Sequence, residues 1–521
     1  MKNLRGEILN LFFPSSERRF IICVLLTTFI IKIILAYIFI KYPDTPHDFY
    51  AYIDSANLLL EGKALYLVPI SNGKIFIYPP FFPTLMAGWI AIFGTNYFLL
   101  KFPSIIFSSL TIIVFFYLLK RISDIQRAKY LTIIFSFSYI TLFGPGFWGN
   151  DDDVFIFFMI TSIYLLLTKR YKLSAITLAI SILFKQVPII LFPGIIIYLY
   201  RILGIRQIVK YIFVWTITFL ILLFPFYLNS GLSVLYPYTG ATNFRSHIPS
   251  VGFFSPLNLI KTGIGIYQNA IHYFSTHTMI PYDQNPLKSA VMCPLNILFN
   301  KIATFYGILG LIFMFIYILK FRIKDEKLEI TRNLFLFTFG SLLFSKAFVP
   351  IYFQWFFPFF LILLSLKEKE NFKNCILTKK ELTGILLVFV SLLIQSVILI
   401  HCSSQTQGKV FLSLCCFLGG IGTYLMFFRV SFRKIWAIIV FLHILSDIGG
   451  AINPLLIFKP ILVKFIPDIP IGPYETYLSY ATLFTLSFVI ILMTIIAMIC
   501  FFIKIHKYLK DDYYSAMSKQ F

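Results

Sequence analysis

Apolar stretches long enough to cross a bilayer recur from one end of this chain to the other. The first is Phe20–Ile40, and others follow at roughly 99–119, 208–228, 382–402 and 477–503. A hydrocarbon core about 30 Å thick takes about 20 apolar residues in a helix, and lipid offers the backbone no hydrogen-bond partner. Fifty-nine per cent of the 521 residues are hydrophobic, 13% are charged, and the mean hydropathy is +0.85, which excludes a soluble domain. The fold class is therefore an all-α polytopic membrane protein with about 12–14 transmembrane helices. Phe20–Ile40 is too long for a signal-peptide core and lacks a small-residue cleavage site, so it reads as a retained span.

The net charge of +23 does not point to nucleic acid. The Lys and Arg residues fall in short loops between spans, where they set orientation. Lys2, Arg5, Arg18 and Arg19 precede the first span, which predicts a cytoplasmic N-terminus over 1–19 and an external loop over 41–98. Pro79–Gly94 is short for a span and opens on prolines, so it reads as an interfacial or re-entrant helix. A second external segment covers 229–300, further spans cover 367–503, and a basic cytoplasmic tail covers 504–521. Two short apolar runs, 173–184 and 189–200, are the broken segments expected where backbone lines a cavity. The seven cysteines show neither metal spacing nor a disulfide framework.

Polar residues gather on the side assigned to the outside. Asp44, His47 and Asp48 open the first loop, which carries short amphipathic helices. Asp151, Asp152 and Asp153 follow Trp148-Gly149-Asn150. Lys185, Arg245 and Lys346 stand where orientation does not require cations. Carboxylates beside cations suit an anionic substrate held next to a general base. Each has a plainer alternative. The aspartate triplet can cap the helix that begins near Val154, and Lys185 and Lys346 can reach for the interface.

Three stretches, in order, resemble the GT-C superfamily of membrane glycosyltransferases that use polyprenyl-phosphate sugars. The first runs from Asp48 through Gly62-Lys-Ala-Leu-Tyr66 to Tyr78-Pro79-Pro80. The second is Trp148-Gly149-Asn150-Asp151-Asp152 followed by Lys185-Gln186-Val187-Pro188. The third is Lys346 through Pro350, Tyr352, Trp355 and Pro358. The last two are similar to elements of the mannosyltransferase-like branch.

The resemblance implies a catalytic module over 20–366. It implies transfer of a hexose, with mannose favoured, to a hydroxyl on a lipid- or protein-linked glycan acceptor. The reaction would invert the anomeric carbon on the external or lumenal face. Asp48 takes the role of base, with Asp44 in reserve. Asp152, Asp151, Lys185, Arg245, Lys346, His47 and Tyr352 are the substrate-binding candidates. Hard carboxylate oxygens would suit Mg²⁺ or Mn²⁺ between Asp152 and Asp48. Either a plasma membrane or an endoplasmic reticulum membrane fits. The competing reading is a transporter or flippase for a lipid-linked or anionic substrate, which also uses broken helices and intramembrane charge.

Overall fold

The computed structural model describes residues 16–39, 47–70, 75–149, 151–239, 294–323, 325–343, 353–367, 378–401 and 418–427, with scattered positions from 434 to 504. Among the described residues there are helices and no strands, and the chain is an all-α integral membrane protein. Three helical segments are long and apolar enough to cross a bilayer: Glu17–Ile38, Tyr97–Ile122 and Ile205–Tyr238. A bent pair, Ile125–Ser136 and Tyr139–Phe147, makes a fourth if its 56° bend lies within one span.

Helix α1 (Glu17–Phe39) is the first span. Helix α2 (His47–Leu60) opens the loop that follows it. It ends at Gly62, whose φ of +70° is the left-handed conformation that glycine adopts freely, and the amide of Lys63 returns to the Leu58 carbonyl. Helix α3 (Phe81–Phe93) has 13 residues, too few to cross the membrane, as expected of Pro79–Gly94. It packs on α2 through an aromatic core: the Tyr52 ring lies 4.7 Å from Phe82, 5.1 Å from Tyr78 and 5.9 Å from Phe76. The Tyr66 hydroxyl donates to the Tyr78 carbonyl at 2.9 Å, and burial pushes that phenol well above its usual pKa, so it stays protonated as a donor. The Gly-x-x-x-Tyr and Tyr-Pro-Pro elements are thereby one folded unit supporting α2.

Helix α4 (Phe102–Ile122) follows a short turn at Tyr97–Leu100 and ends on Lys120 and Arg121. Asp124 caps α5 (Ile125–Ser136) by accepting from the Arg127 amide at 2.9 Å. The expected span at 130–147 is broken after Ser136. Ser138 caps a new helix, α6 (Tyr139–Phe143), which continues as a π-helical turn over Gly144–Trp148. Helix α7 (Asp152–Leu167) packs against α4 and α8 (Tyr171–Phe184). Lys185 is extended, and a 3-10 turn at Val187–Leu191 with an early proline leads into α9 (Phe192–Leu203). The break expected between the two short runs is thus present, with Lys185 at its apex.

Helix α10 (Ile205–Ser230) continues through Pro225 and leaves most of its surface uncovered by protein. Helices α11 (Pro294–Lys320), α12 (Glu326–Leu343), α13 (Phe353–Lys367) and α14 (Lys379–His401) complete the described bundle. Charges also tie the far end together. Lys120 pairs with Glu17 at 2.7 Å, Arg201 with Glu329, and Tyr198 donates to Glu326 at 2.6 Å.

Candidate active site

The aspartate triplet begins α7. A carboxylate there is favoured by the helix N-terminus, yet Asp151 makes no capping bond with its side chain. Two of the three instead share a cation. Lys185 Nζ donates to Asp151 Oδ1 at 3.0 Å and to Asp152 Oδ1 at 2.7 Å. The same Asp152 oxygen accepts from the Trp355 indole at 2.9 Å. The ammonium lies 5.7 Å from the centre of the Phe155 ring and 5.6 Å from that of Trp355, which adds cation–π attraction. Asp151 and Asp152 are fully buried and Lys185 nearly so. A buried pair of this kind holds only because its partners compensate the desolvation of each charge.

This arrangement unites the second and third sequence stretches: α7, the α8–α9 break and the start of α13 meet at one carboxylate. The first stretch joins them through Gly149. That residue has φ +59°, and a Cβ there would lie 2.8 Å from Lys101 Cγ and 3.3 Å from Phe49 Cε2. The start of α2, where Asp48 stands, therefore lies against the Trp-Gly element and Lys101. The side chains of His47 and Asp48, and all of Asp44, Arg245, Lys346 and Tyr352, lie outside the described residues.

Two residues were missed as site candidates. Lys101 was absorbed into the span at 99–119, but it is buried, donates to the Gly146 carbonyl at 3.1 Å, and pairs with no carboxylate among the described residues. A lysine at the outer end of an apolar run, away from the basic clusters at the other end, was the available signal. Trp355 stood inside a quoted motif without a role, because tryptophan near a membrane surface ordinarily reads as an interface anchor.

Lys185 Nζ, and not a cation site, lies between Asp151 Oδ1 and Asp152 Oδ1, and the Asp48 side chain, the other expected ligand, lies outside the described residues. No group of three or more His, Cys, Asp or Glu side chains among the described residues could hold a metal ion.

Residues 78–229, less than a third of the chain, match the sequence model of the dolichyl-phosphate-mannose-protein mannosyltransferase family. The chain is similar to the GT-C membrane glycosyltransferases. Among solved structures it is similar to ArnT from Cupriavidus metallidurans bound to undecaprenyl phosphate, at 12% identity and a TM-score of 0.44, covering 92% of this chain and 77% of that one. It is also similar to the Archaeoglobus fulgidus oligosaccharyltransferase in the apo form, at 14% identity and a TM-score of 0.39, covering 89% of this chain and 60% of that one. The same archaeal enzyme, AglB, in complex with an inhibitory peptide and a dolichol-phosphate, is matched at 13% identity and a TM-score of 0.39, covering 89% of this chain and 60% of that one. This chain therefore spans less than two thirds of the archaeal enzyme's length. The curated proteins include no match to its sequence.

Proposed function

We propose that this protein is a membrane glycosyltransferase that moves a hexose from a polyprenyl-phosphate donor to a hydroxyl acceptor, with inversion. The family match over 78–229 carries the reading, because that segment holds Tyr78-Pro79-Pro80, Lys101, the aspartate triplet and Lys185. Mannose is the favoured sugar, from the family's description. The catalytic module is 20–366, the N-terminus is cytoplasmic, and the acceptor is a lipid- or protein-linked glycan on the opposite face.

In the reaction the acceptor oxygen attacks the anomeric carbon and gives its proton to Asp48, with Asp44 the reserve base. The bond from the anomeric carbon to the phosphate oxygen breaks, and the lipid phosphate leaves as an anion. Lys101 is suited to hold that phosphate, since its buried ammonium has no carboxylate partner among the described residues. Arg245 and Lys346 supply further positive charge. Lys185 fixes Asp151 and Asp152 instead of facing phosphate. Beside the Tyr52 hydroxyl, Asp151 Oδ2 is buried without a close hydrogen-bond partner among the described residues and is suited to accept from a sugar hydroxyl. His47 and Tyr352 complete the contacts to the two substrates.

The test is transfer from a labelled polyprenyl-phosphate hexose by wild type and Asp48→Asn in membranes at matched protein levels. The expected result is transfer by wild type only, with donor binding retained in the variant. Equal transfer by both removes Asp48 as base. No transfer from any of several donors, together with flux of a lipid-linked sugar, would replace the enzyme by a flippase.

A further inference from the structure

Lys32 lies in the middle of α1, fully buried, on a helix that otherwise reads as an apolar span. Its Nζ donates to Ser108 Oγ in α4 at 2.7 Å. Across that hydroxyl stands Asp153 of α7, whose carboxylate bonds Ser108 and is attracted by the Lys32 charge. A lysine and an aspartate at this depth are each costly and contribute nothing to span orientation.

The geometry of α7 explains what they can do. Successive helix residues point about 100° apart, so three consecutive aspartates cannot all face one cation. Asp151 and Asp152 face Lys185 in the α8–α9 break, whereas Asp153 faces Lys32 on α1. The first turn of α7 is thus gripped by a lysine on each side. The surroundings are close-packed: a Cβ at Gly146 would lie 2.8 Å from Leu35 Cβ, so the π-helical turn before α7 rests on α1 within a turn of Lys32. On α13, neighbouring residues meet neighbouring aspartates. Trp355 donates to Asp152, and Gln354 Oε1 and Asp153 Oδ2 both border Gly144. Asp153 Oδ2 has no hydrogen-bond partner among the described residues, which leaves Lys32 as the charge holding this carboxylate.

We propose that Lys32 and Asp153 are a positioning pair. Each compensates the other's buried charge, so that neither pulls the first turn of α7 out of the seat in which Asp151 and Asp152 aim at Lys185. The activity arm of the test rests on the transferase reading above, and the other arms do not.

The experiment uses the full-length protein in lipid nanodiscs, with Lys32→Met, Asp153→Asn, the double variant Lys32→Met/Asp153→Asn, and the charge-preserving Lys32→Arg. Three quantities are measured: the melting temperature, the rate of Lys185 acylation by an amine-reactive ester read by mass spectrometry, and kcat and KM for hexose transfer. Each single neutralisation should speed Lys185 acylation at least about fivefold and lower kcat at least about tenfold, with KM within about threefold. The double variant should bring acylation and kcat back to within about threefold of wild type, because neither buried charge is then left alone. Lys32→Arg should keep the melting temperature and acylation rate. A double variant no better than the worse single overturns the pair. So do single variants that keep both Lys185 protection and kcat. If the singles do not accumulate as folded protein, a double variant that folds with Lys185 protected supports the proposal, and one that folds with Lys185 reactive overturns it. Should wild type transfer no hexose, the transferase reading fails, and the acylation and melting arms still decide the pair.

Discussion

The Trp355 indole N–H donates to Asp152 Oδ1 at 2.9 Å, and that oxygen also accepts from Lys185 at 2.7 Å. Two donors from separate helical elements converge on one carboxylate oxygen. An oxygen so occupied is a fixed acceptor. Changing Trp355 to Phe keeps a ring for Lys185 and for the edge contact with Phe155, whose centroid is 5.9 Å away. The donor is lost, together with part of the indole's volume. The expected effect is a loss of about 1.5–3 kcal/mol in unfolding, the usual range for a hydrogen bond to a charged group. Trp355→Ala should cost more, since it also opens a cavity. Equal melting of Trp355→Phe and wild type would show that the indole bond contributes nothing.

Lys185→Met is a sharper change. It leaves Asp151 and Asp152 buried with their shared cation gone. Breaking a buried pair from one side costs about 3–5 kcal/mol. Neutralising both aspartates in the same chain, as Lys185→Met/Asp151→Asn/Asp152→Asn, should restore most of the melting temperature but not transfer. A triple variant that melts no higher than the single would show that the ammonium is not the aspartates' partner.

Much of this was legible in the sequence, for reasons of spacing. Apolar runs announce spans because lipid demands internally bonded backbone, and Lys185-Gln186-Val187-Pro188 announces a break because proline disfavours helix in the residue before it. The break at Phe137–Ser138 was not legible. No proline or glycine marks it; a serine that caps the next helix does, and serine is common inside apolar helices. The approach of Asp153 to Lys32 across Ser108 was hidden as well, because it joins residues more than a hundred positions apart. Local pattern tells that three aspartates begin a helix, but not that each side of that helix meets a different lysine.

Gly149 tests how tightly the first loop is seated. Gly149→Ala places a Cβ in a left-handed conformation and within 2.8 Å of Lys101 Cγ. Strain at such a position costs about 1–3 kcal/mol, and the Lys101 stem must move. Transfer should fall more than stability, with the loss in donor KM. An alanine variant with unchanged KM would mean that Lys101 does not contact the donor.

At the far end, Asp124 gives a pH prediction independent of catalysis. Its partial burial alone would raise its pKa, but the bonds it accepts from the Arg127 amide and guanidinium hold it below the usual carboxylate value of 3.8. The sign follows: a carboxylate with a depressed folded-state pKa stabilises above the unfolded value, and the contribution is lost as pH falls through the folded one. Nearly half the side chain is exposed, so the capping bond is the main contribution. Asp124→Ala should lose about 1 kcal/mol as a helix cap. The difference from wild type should be constant from neutral pH down to the ordinary carboxylate range and shrink below it. A difference that varies near neutrality would point to another titrating group.

Lys101 and Lys185 are both buried lysines at the same end of the bundle, yet their replacement should move stability in opposite directions. Lys185 is shared by two aspartates. Lys101 has only the Gly146 carbonyl among the described residues, so among them its ammonium is desolvated without an ionic partner. Such a group is kept at a cost to the fold, and Lys101→Met should raise stability by about 0.5–2 kcal/mol, the usual gain when a functional compromise is removed. Transfer should nevertheless fall, with a higher donor KM and weaker competition by free polyprenyl phosphate, because the phosphate has lost its counter-charge. Lys101→Arg should restore phosphate binding in part. A Lys101→Met protein that melts as low as Lys185→Met would show that the ammonium is paired after all, and that the cation holding the phosphate must be sought at Arg245 or Lys346.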